Sequence, residues 1–325
     1  MRKIAVTGAT GFIGYRTVRA LAEAGNDVTA LGRDVAIGRG LERDGITFIR
    51  SELSDVARMH KAFLHQDAVV HCAALTRSGA RPEEYHASNF LGTRNVMTAM
   101  KDTNVSRWVY LSTARLYENG ADRTGVRETD PLGTPGDDPF LESKRRAEAD
   151  IDNFVLVPTI ILRPQLVFGR GDRRLAPYLE RWARFKRMPS FDLGESLIDP
   201  VYIDNLVHAI SLALSAPEDA AGRAYNISNG TPVENYTFLS GLVETHGRYV
   251  TPLKLRATRA LKLAKLVEAV YRFFGSTRDP FLPVRYVRQF SESITLNTGA
   301  AETALGYKPK LSLREGLRLT TTNQR

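Results

Sequence analysis

Short apolar runs recur along the first half of the chain: KIAVTG, DVTALG, ITFIR, AVVHCAA, RWVYLST and TIILRP. Each is rich in valine and isoleucine and bounded by turn or polar residues, the pattern of strands buried on both faces. Stretches with helical periodicity separate them, among them YRTVRALAEAG and SNFLGTRNVMTAMKDT. Strands alternating with helices predict an α/β fold built on a Rossmann-type, doubly wound parallel sheet. The alternation fills residues 1–165 and weakens after Pro164, which predicts a smaller C-terminal substrate-binding lobe over 166–325. Residues 190–215 are expected to return to the first domain, because LIDPVYIDNLVHAISLALSAP reads as a further strand and helix. Residues 256–274, RATRALKLAKLVEAVYRFF, predict an amphipathic helix. Arg256, Arg259, Lys262, Lys265 and Arg272 fall near one face, with Leu263, Val267, Val270 and Phe274 on others. Packing onto the C-terminal lobe is expected; a lid or a membrane-surface contact is the alternative. The tail LGYKPKLSLREGLRLT reads as a turn and a final helix.

The 325 residues suffice for one large α/β unit or two intimate lobes, and 43% hydrophobic with 25% charged residues describes a soluble globular chain. No apolar run is long enough to span a bilayer, and glycines interrupt the N-terminal apolar run too early for a signal peptide. The one cysteine, Cys72, offers no disulfide framework and suits a reducing cytoplasm. The net charge of +9 concentrates in residues 169–187, GRGDRRLAPYLERWARFKR. That segment is a solvated face or an electropositive rim that draws an anionic ligand. No nucleic-acid-binding module accompanies it. His60 and His65 lie five apart, so a helix does not aim both at one metal ion. His71 reads as a packed, hydrogen-bonded imidazole and Cys72 as a small filler without an electropositive neighbour. Trp108 is expected at a strand edge and Trp182 on the basic helix, both as packing residues.

The most informative stretch is VTGATGFIG. Gly8, Gly11 and Gly14 stand at i, i+3 and i+6 between a strand and a helix. Gly8 suits a tight turn, Gly11 a close approach of backbone to pyrophosphate, and Gly14 close packing of helix on sheet. Thr10, Phe12 and Ile13 complete that turn. Main-chain N–H groups at the helix start then face the phosphates. At the end of the second strand, ALGRD presents Gly32 and Arg33 where an acidic residue favours NAD. A small residue followed by a guanidinium favours NADP, although Asp34 is near enough to swing toward a ribose. Glu52 and Leu53, where the third strand ends, are expected within reach of an adenine.

Together TGATGFIG, VVHCAA, NFLGTRNV (Asn89, Gly92, Thr93, Asn95), VYLSTARLY, ETDP, LRPQLVFGRGD and LGYKPKLSLREGL resemble the extended short-chain dehydrogenase/reductases, the NAD-dependent epimerase/dehydratase superfamily. LRPQLVFGRGD and DPVYIDNLVHAI are most similar to its 3β-hydroxysteroid dehydrogenase-like branch. The resemblance implies NAD(P)-dependent hydride transfer at a secondary alcohol or ketone of a bulky, mostly apolar small molecule, and a homodimer. It adds Ala73, Ala74, Asn89, Lys144 and Pro164 to the cofactor site. It also implies a catalytic Ser or Thr, a Tyr, and a Lys four residues after the Tyr. On this chain these positions are Thr113, with Ser112 beside it, Phe140 and Lys144. Phe140 carries no phenol, and a missing general acid/base costs about 10²–10⁴ in rate. Tyr117 and Asp138 are candidate substitutes. Three readings follow: a variant with turnover stopped, a relative that binds cofactor without turnover as a sensor or scaffold, or an enzyme with another proton donor. Ala114 and Arg115 stand where sugar-nucleotide dehydratases carry an Asp–Glu pair, which argues against dehydration. A sugar-nucleotide epimerase stays possible and also needs the tyrosine.

Overall fold

A computed structural model of the chain describes residues 1–134, 136–154, 157–192, 195–245, 247–274, 280 and 282–321. Its main sheet begins with β1 (Lys3–Thr7), β2 (Asp27–Gly32), β3 (Thr47–Arg50), β4 (Ala68–His71) and β5 (Arg107–Leu111). The later strands Thr159–Pro164 and Arg223–Ile227 extend it beyond β5. All seven run parallel, in the order 223–227, 159–164, β5, β4, β1, β2, β3. The order reverses at β1, so the chain leaves β1 and β4 in opposite directions. A crevice opens there, at the carboxyl ends of the strands.

Both faces of the sheet are covered, which is why its strands read as continuous apolar runs. Alternate residues of β1 divide between two cores. Ile4 and Val6 pack with Val18 and Leu21 of the helix Phe12–Glu23 and with Leu206 and Ile210 of the helix Ile203–Ser215. Ala5 packs on the other side, toward Val96 of Gly92–Met100 and Ile151 of Pro139–Phe154. Trp108 belongs to this second core. It is fully buried on β5, paired with Val69 on one side and Thr159 on the other, so the expected place at a strand edge is wrong. Two parallel strands flank β5, and only the sequence after residue 150 supplies the second. Trp182 is buried, as expected of a packing residue.

The C-terminal segment returns to the sheet twice. Ile203–Ser215 lies against Phe12–Glu23, where Arg16 Nε meets Asp204 Oδ1 at 2.5 Å. Strand Arg223–Ile227, beyond the range expected to return, then closes the sheet edge. A second sheet joins Val233–Glu234, Leu197–Ile198, Ile294–Leu296 and Arg123–Val126, the last contributed by the first half of the chain. Two further pairs, Val167–Phe168 with Val201–Tyr202 and Arg187–Phe191 with Thr251–Leu255, complete the smaller lobe.

The helix Ala257–Phe273 packs with small residues inward, Ala260 and Ala264 being buried. Its Glu268 accepts a hydrogen bond from Val284 N at 2.8 Å, at the start of the helix Val284–Ser291. Leu261 packs half-buried against the same core as Ala260 and Ala264, whereas Leu263, Leu266, Val270 and Phe273 are exposed, as is Phe274 beyond its end. The expected helix is present and packs on the C-terminal lobe through Ala260, Leu261 and Ala264; the Arg272 side chain lies outside the described residues.

Candidate active site

The cradle forms because the backbone has room for nothing larger. Gly8 has φ +70°, and a Cβ there would lie 2.6 Å from the Ala73 backbone. A Cβ on Gly14 would lie 2.2 Å from Gly8 O. The helix Phe12–Glu23 begins after Gly11 with no side-chain cap and no acidic residue in its first turn. Its leading N–H groups and the positive end of its dipole therefore face the crevice, which suits a pyrophosphate.

That crevice is a cleft of about 1080 Å³. Thr10, Gly11, Phe12, Ile13, Gly14, Ala74, Thr113, Phe140, Lys144 and Pro164 line it, so the residues expected from separate segments meet there. Gly8 and Ala73 press together beneath it. Asn89 stands behind it, fully buried. Its Oδ1 accepts from Leu75 N at 2.6 Å, and its Nδ2 donates to Leu75 O and Ser143 Oγ, both at 3.1 Å. It ties the loop after β4 to the helix Pro139–Phe154. Glu52 is exposed and Leu53 packs over Gly92, with Leu53 O accepting from Asn95 Nδ2 at 2.9 Å; neither lines the cleft. Arg33 is exposed, also outside the lining. Asp34 caps the helix Val35–Arg43, its Oδ1 accepting from Ala36 N (3.0 Å) and Ile37 N (3.1 Å).

β5 and the helix Pro139–Phe154 position the residues expected to react. Thr113 Oγ1 accepts from Arg115 N at 3.3 Å, while Ser112 Oγ is buried with no partner. Lys144 Nζ donates to Leu111 O at 2.7 Å and to Tyr110 Oη at 3.2 Å. Burial pushes its ammonium down to about 8, against the opposing pull of Glu148. An ammonium has three N–H donors, so one remains for a ligand. Phe140 is buried, edge-on to Tyr85 at 6.1 Å. Two guanidinium groups flank its ring. Arg285, from Val284–Ser291, lies 4.5 Å from the centroid and Arg115 lies 6.0 Å away.

Neither candidate substitute for the phenol survives. Tyr117 Oη is buried between Arg163 Nη1 (2.8 Å) and Asn226 Oδ1 (3.0 Å) and does not line the cleft. Burial pulls Asp138 upward, but Arg115 and Arg285 together hold its carboxyl below the usual range. Asp138 also caps its helix, accepting from Phe140 N and Leu141 N, and pairs with Arg115 Nη2 at 3.0 Å. It has no proton to give near neutrality. His71 is a packed imidazole, bonded through Nδ1 to Thr7 Oγ1 (2.6 Å) and through Nε2 to Thr93 Oγ1 (3.2 Å); burial pushes it down to about 3. Cys72 does have an electropositive neighbour, Lys144, but burial dominates and raises its thiol to about 12. No cluster able to hold a metal occurs among the described residues.

Arg115 and Arg285 are the functional candidates that sequence reasoning did not single out. Arg115 was read only as a missing acid. Arg285 sits far along the chain, and its signal was weak: a cation among residues that become buried, Tyr286, Val287 and Phe290.

Residues 4–228 match the NAD dependent epimerase/dehydratase family, a span that closes just after the last strand of the main sheet. The chain is 31% identical over 324 residues to a 2-alkyl-3-oxoalkanoate reductase of Stenotrophomonas maltophilia, covering 97% of each protein. It is 28% identical over 334 residues to the decarboxylating sterol-4-alpha-carboxylate 3-dehydrogenase of Mus musculus, covering 98% of this chain and 90% of that one. Among solved structures, the UDP-glucuronic acid 4-epimerase of Bacillus cereus in complex with NAD superposes with a TM-score of 0.74 at 23% identity, covering 98% of this chain and 95% of that one. The chain belongs to the NAD-dependent epimerase/dehydratase family of extended short-chain dehydrogenases/reductases, and its relatives include 2-alkyl-3-oxoalkanoate reductases and 3beta-hydroxysteroid-dehydrogenase/decarboxylases.

Proposed function

We propose that this protein is an NADP-preferring oxidoreductase that interconverts a keto and a hydroxyl group on a bulky, mostly apolar molecule in the cytoplasm. The observation that carries the reading is the meeting of an uncapped, glycine-built helix start with Thr113 and Lys144 in one cleft. A bound nicotinamide supplies or accepts the hydride. Lys144 has a spare N–H for its ribose, and Ser112 Oγ and Thr113 Oγ1 orient the substrate oxygen. Phe140 has no proton to move, so the proton for the alkoxide comes from solvent. Turnover is then slower by about 10²–10⁴ than with a phenol in place.

Three features support NADP. A side chain on Gly32 would meet Thr10 Cγ2 at 2.7 Å, which leaves no room for an acidic residue there. Asp34 is held by its helix cap, and Arg33 is exposed at the same strand end. The substrate class draws on relatives of similar length named for a 2-alkyl-3-oxoalkanoate and a sterol carboxylate. The test is NADPH oxidation with a 2-alkyl-3-oxoalkanoate. Slow, substrate-dependent loss of NADPH absorbance supports the reading; none, even in a Phe140→Tyr variant that binds NADPH, favours a non-catalytic cofactor sensor instead.

A further inference from the structure

The helix Val284–Ser291 brings into the cleft a charge that the hydride-transfer frame does not require. Arg285 lines the cleft, stacks on Phe140 at 4.5 Å and donates through Nη1 to Thr76 O at 2.7 Å. It has no other hydrogen bond and no ion pair among the described residues. Its surroundings are short of negative charge. Arg115 and Arg174 are the nearby cations, and Asp138, the acid that faces it, is engaged by Arg115 and two helix amides. Burial and the Arg115 charge hold Arg285 down to about 10. Arg115, 6.0 Å from the centroid of the same ring, binds Glu118 through Nε and Nη2, while its Nη1 is buried with no partner. Ser112 Oγ is a second buried polar atom without a partner lining the same cleft. Buried donors left in this state, beside a half-buried cation short of partners, are costly unless a ligand completes them.

We infer that Arg285 anchors a carboxylate of the substrate beside Phe140, with Arg115 Nη1 as the second donor. A guanidinium offers a planar fork that matches a carboxylate. With the reacting oxygen on Ser112 and Thr113, an acid group held beside the Phe140 ring in the same cleft belongs a short distance along the same molecule. The substrate class is therefore a 3-oxo or 3-hydroxy carboxylic acid. The 3-oxo part of this assignment rests on the oxidoreductase reading above; the carboxylate part does not.

The test is calorimetry on the full-length protein saturated with NADP⁺, titrated with 3-hydroxydecanoate and separately with its methyl ester. The acid is expected to bind about 10- to 100-fold more tightly than the ester, as one or two charge-assisted hydrogen bonds allow. Arg285→Gln collapses that gap while leaving ester and NADP⁺ affinity unchanged; Arg285→Lys, which keeps the charge, retains part of it. Equal affinity for acid and ester in the unmodified protein, or no binding of the acid, overturns the inference. So does an Arg285→Gln variant that weakens both ligands alike, or that weakens NADP⁺ instead. None of these readings needs turnover, so discrimination without hydride transfer would sink the oxidoreductase reading and keep the carboxylate site.

A different surface carries a second inference. Leu263, Leu266, Val270, Phe273 and Phe274 fall on one side of the helix Ala257–Phe273 and its end, and all are exposed, Phe273 by 84%. Arg256, Arg259, Lys262 and Lys265 are exposed along the same stretch. A large apolar stripe with basic flanks complements an anionic bilayer surface. We propose that this helix seats the protein on anionic membranes, next to the helix that carries Arg285. Sedimentation with phosphatidylserine-containing vesicles is expected, weaker with phosphatidylcholine alone and weaker at high salt. Leu266→Glu with Phe273→Glu abolishes it without changing Tm. No sedimentation, or sedimentation that survives the double substitution, overturns the proposal. Concentration-dependent dimerisation lost in that variant, with no vesicle binding, assigns the face to a second copy and also overturns it.

Discussion

Replacing Phe140 with tyrosine puts a phenol oxygen into the cleft that Thr113 and Lys144 line. The ring is buried, with Arg285 4.5 Å and Arg115 6.0 Å from its centroid. At roughly 5 Å and an effective dielectric of about 20, each guanidinium favours a phenolate by roughly 3 kcal/mol, or about two pKa units. Desolvation acts the other way. Tyr85, packed against Phe140, shows the balance, since burial raises its phenol although Arg285 pulls it down. The introduced phenol is therefore expected to stay protonated at pH 7 and to serve as a general acid in ketone reduction. Its gain is about 10²–10⁴ in kcat, or about 3–5 kcal/mol of barrier. Left unpaired, the new hydroxyl costs about 1–3 kcal/mol of stability. An unchanged Tm therefore shows that it has found a partner, for which Ser112 Oγ is unoccupied. The assay is NADPH oxidation by both proteins with a 2-alkyl-3-oxoalkanoate, beside NADPH affinity and Tm. Retained affinity and Tm with no gain in rate would refute the idea that Thr113, position 140 and Lys144 form a dehydrogenase frame.

Other substitutions probe the cradle and its charges. Gly14→Ala drives a Cβ to 2.2 Å from Gly8 O, so dinucleotide binding is lost and stability falls by about 1–3 kcal/mol, read by calorimetry and Tm. Arg33→Ala weakens NADP⁺ at least several-fold and leaves NAD⁺ affinity unchanged, whereas Asp34→Ala removes a helix cap worth about 1 kcal/mol without altering the ratio of the two affinities. Lys144 titrates near 8 in the fold and near 10.5 when unfolded. Its ammonium is lost above about pH 8, so nucleotide affinity falls there, and Lys144→Met makes the pH profile flat. Between those two values the unfolded chain binds more protons, so stability gains with rising pH, by at most about 3 kcal/mol, relative to the Lys144→Met protein.

The sheet was legible because its strands are buried on both faces, so that DVTALG and TIILRP carry their own boundaries. The edge strand Arg223–Ile227 was not, since RAYNI mixes a charge and an amide into an apolar run, and its Asn226 amide serves a buried contact with Tyr117. The cradle was legible because glycine spacing reports backbone clearance directly. Leu53, expected within reach of an adenine, covers Gly92 instead, whereas Asn89 fixes main chain beside the cleft through Leu75 and Ser143. Arg285 was invisible for a different reason. Its meaning comes from lying on Phe140, and nothing local to the 284–291 segment predicts that a helix of the smaller lobe will reach the ring.

The central claim is that main-chain amides after β1, with Lys144 across the cleft, hold a nicotinamide dinucleotide. Calorimetric titration of the purified protein with NADP⁺ and with NAD⁺ tests it most directly. Saturable one-site binding, tighter for NADP⁺ and abolished by Gly14→Ala, is the predicted result; a folded protein that takes up neither nucleotide would contradict it.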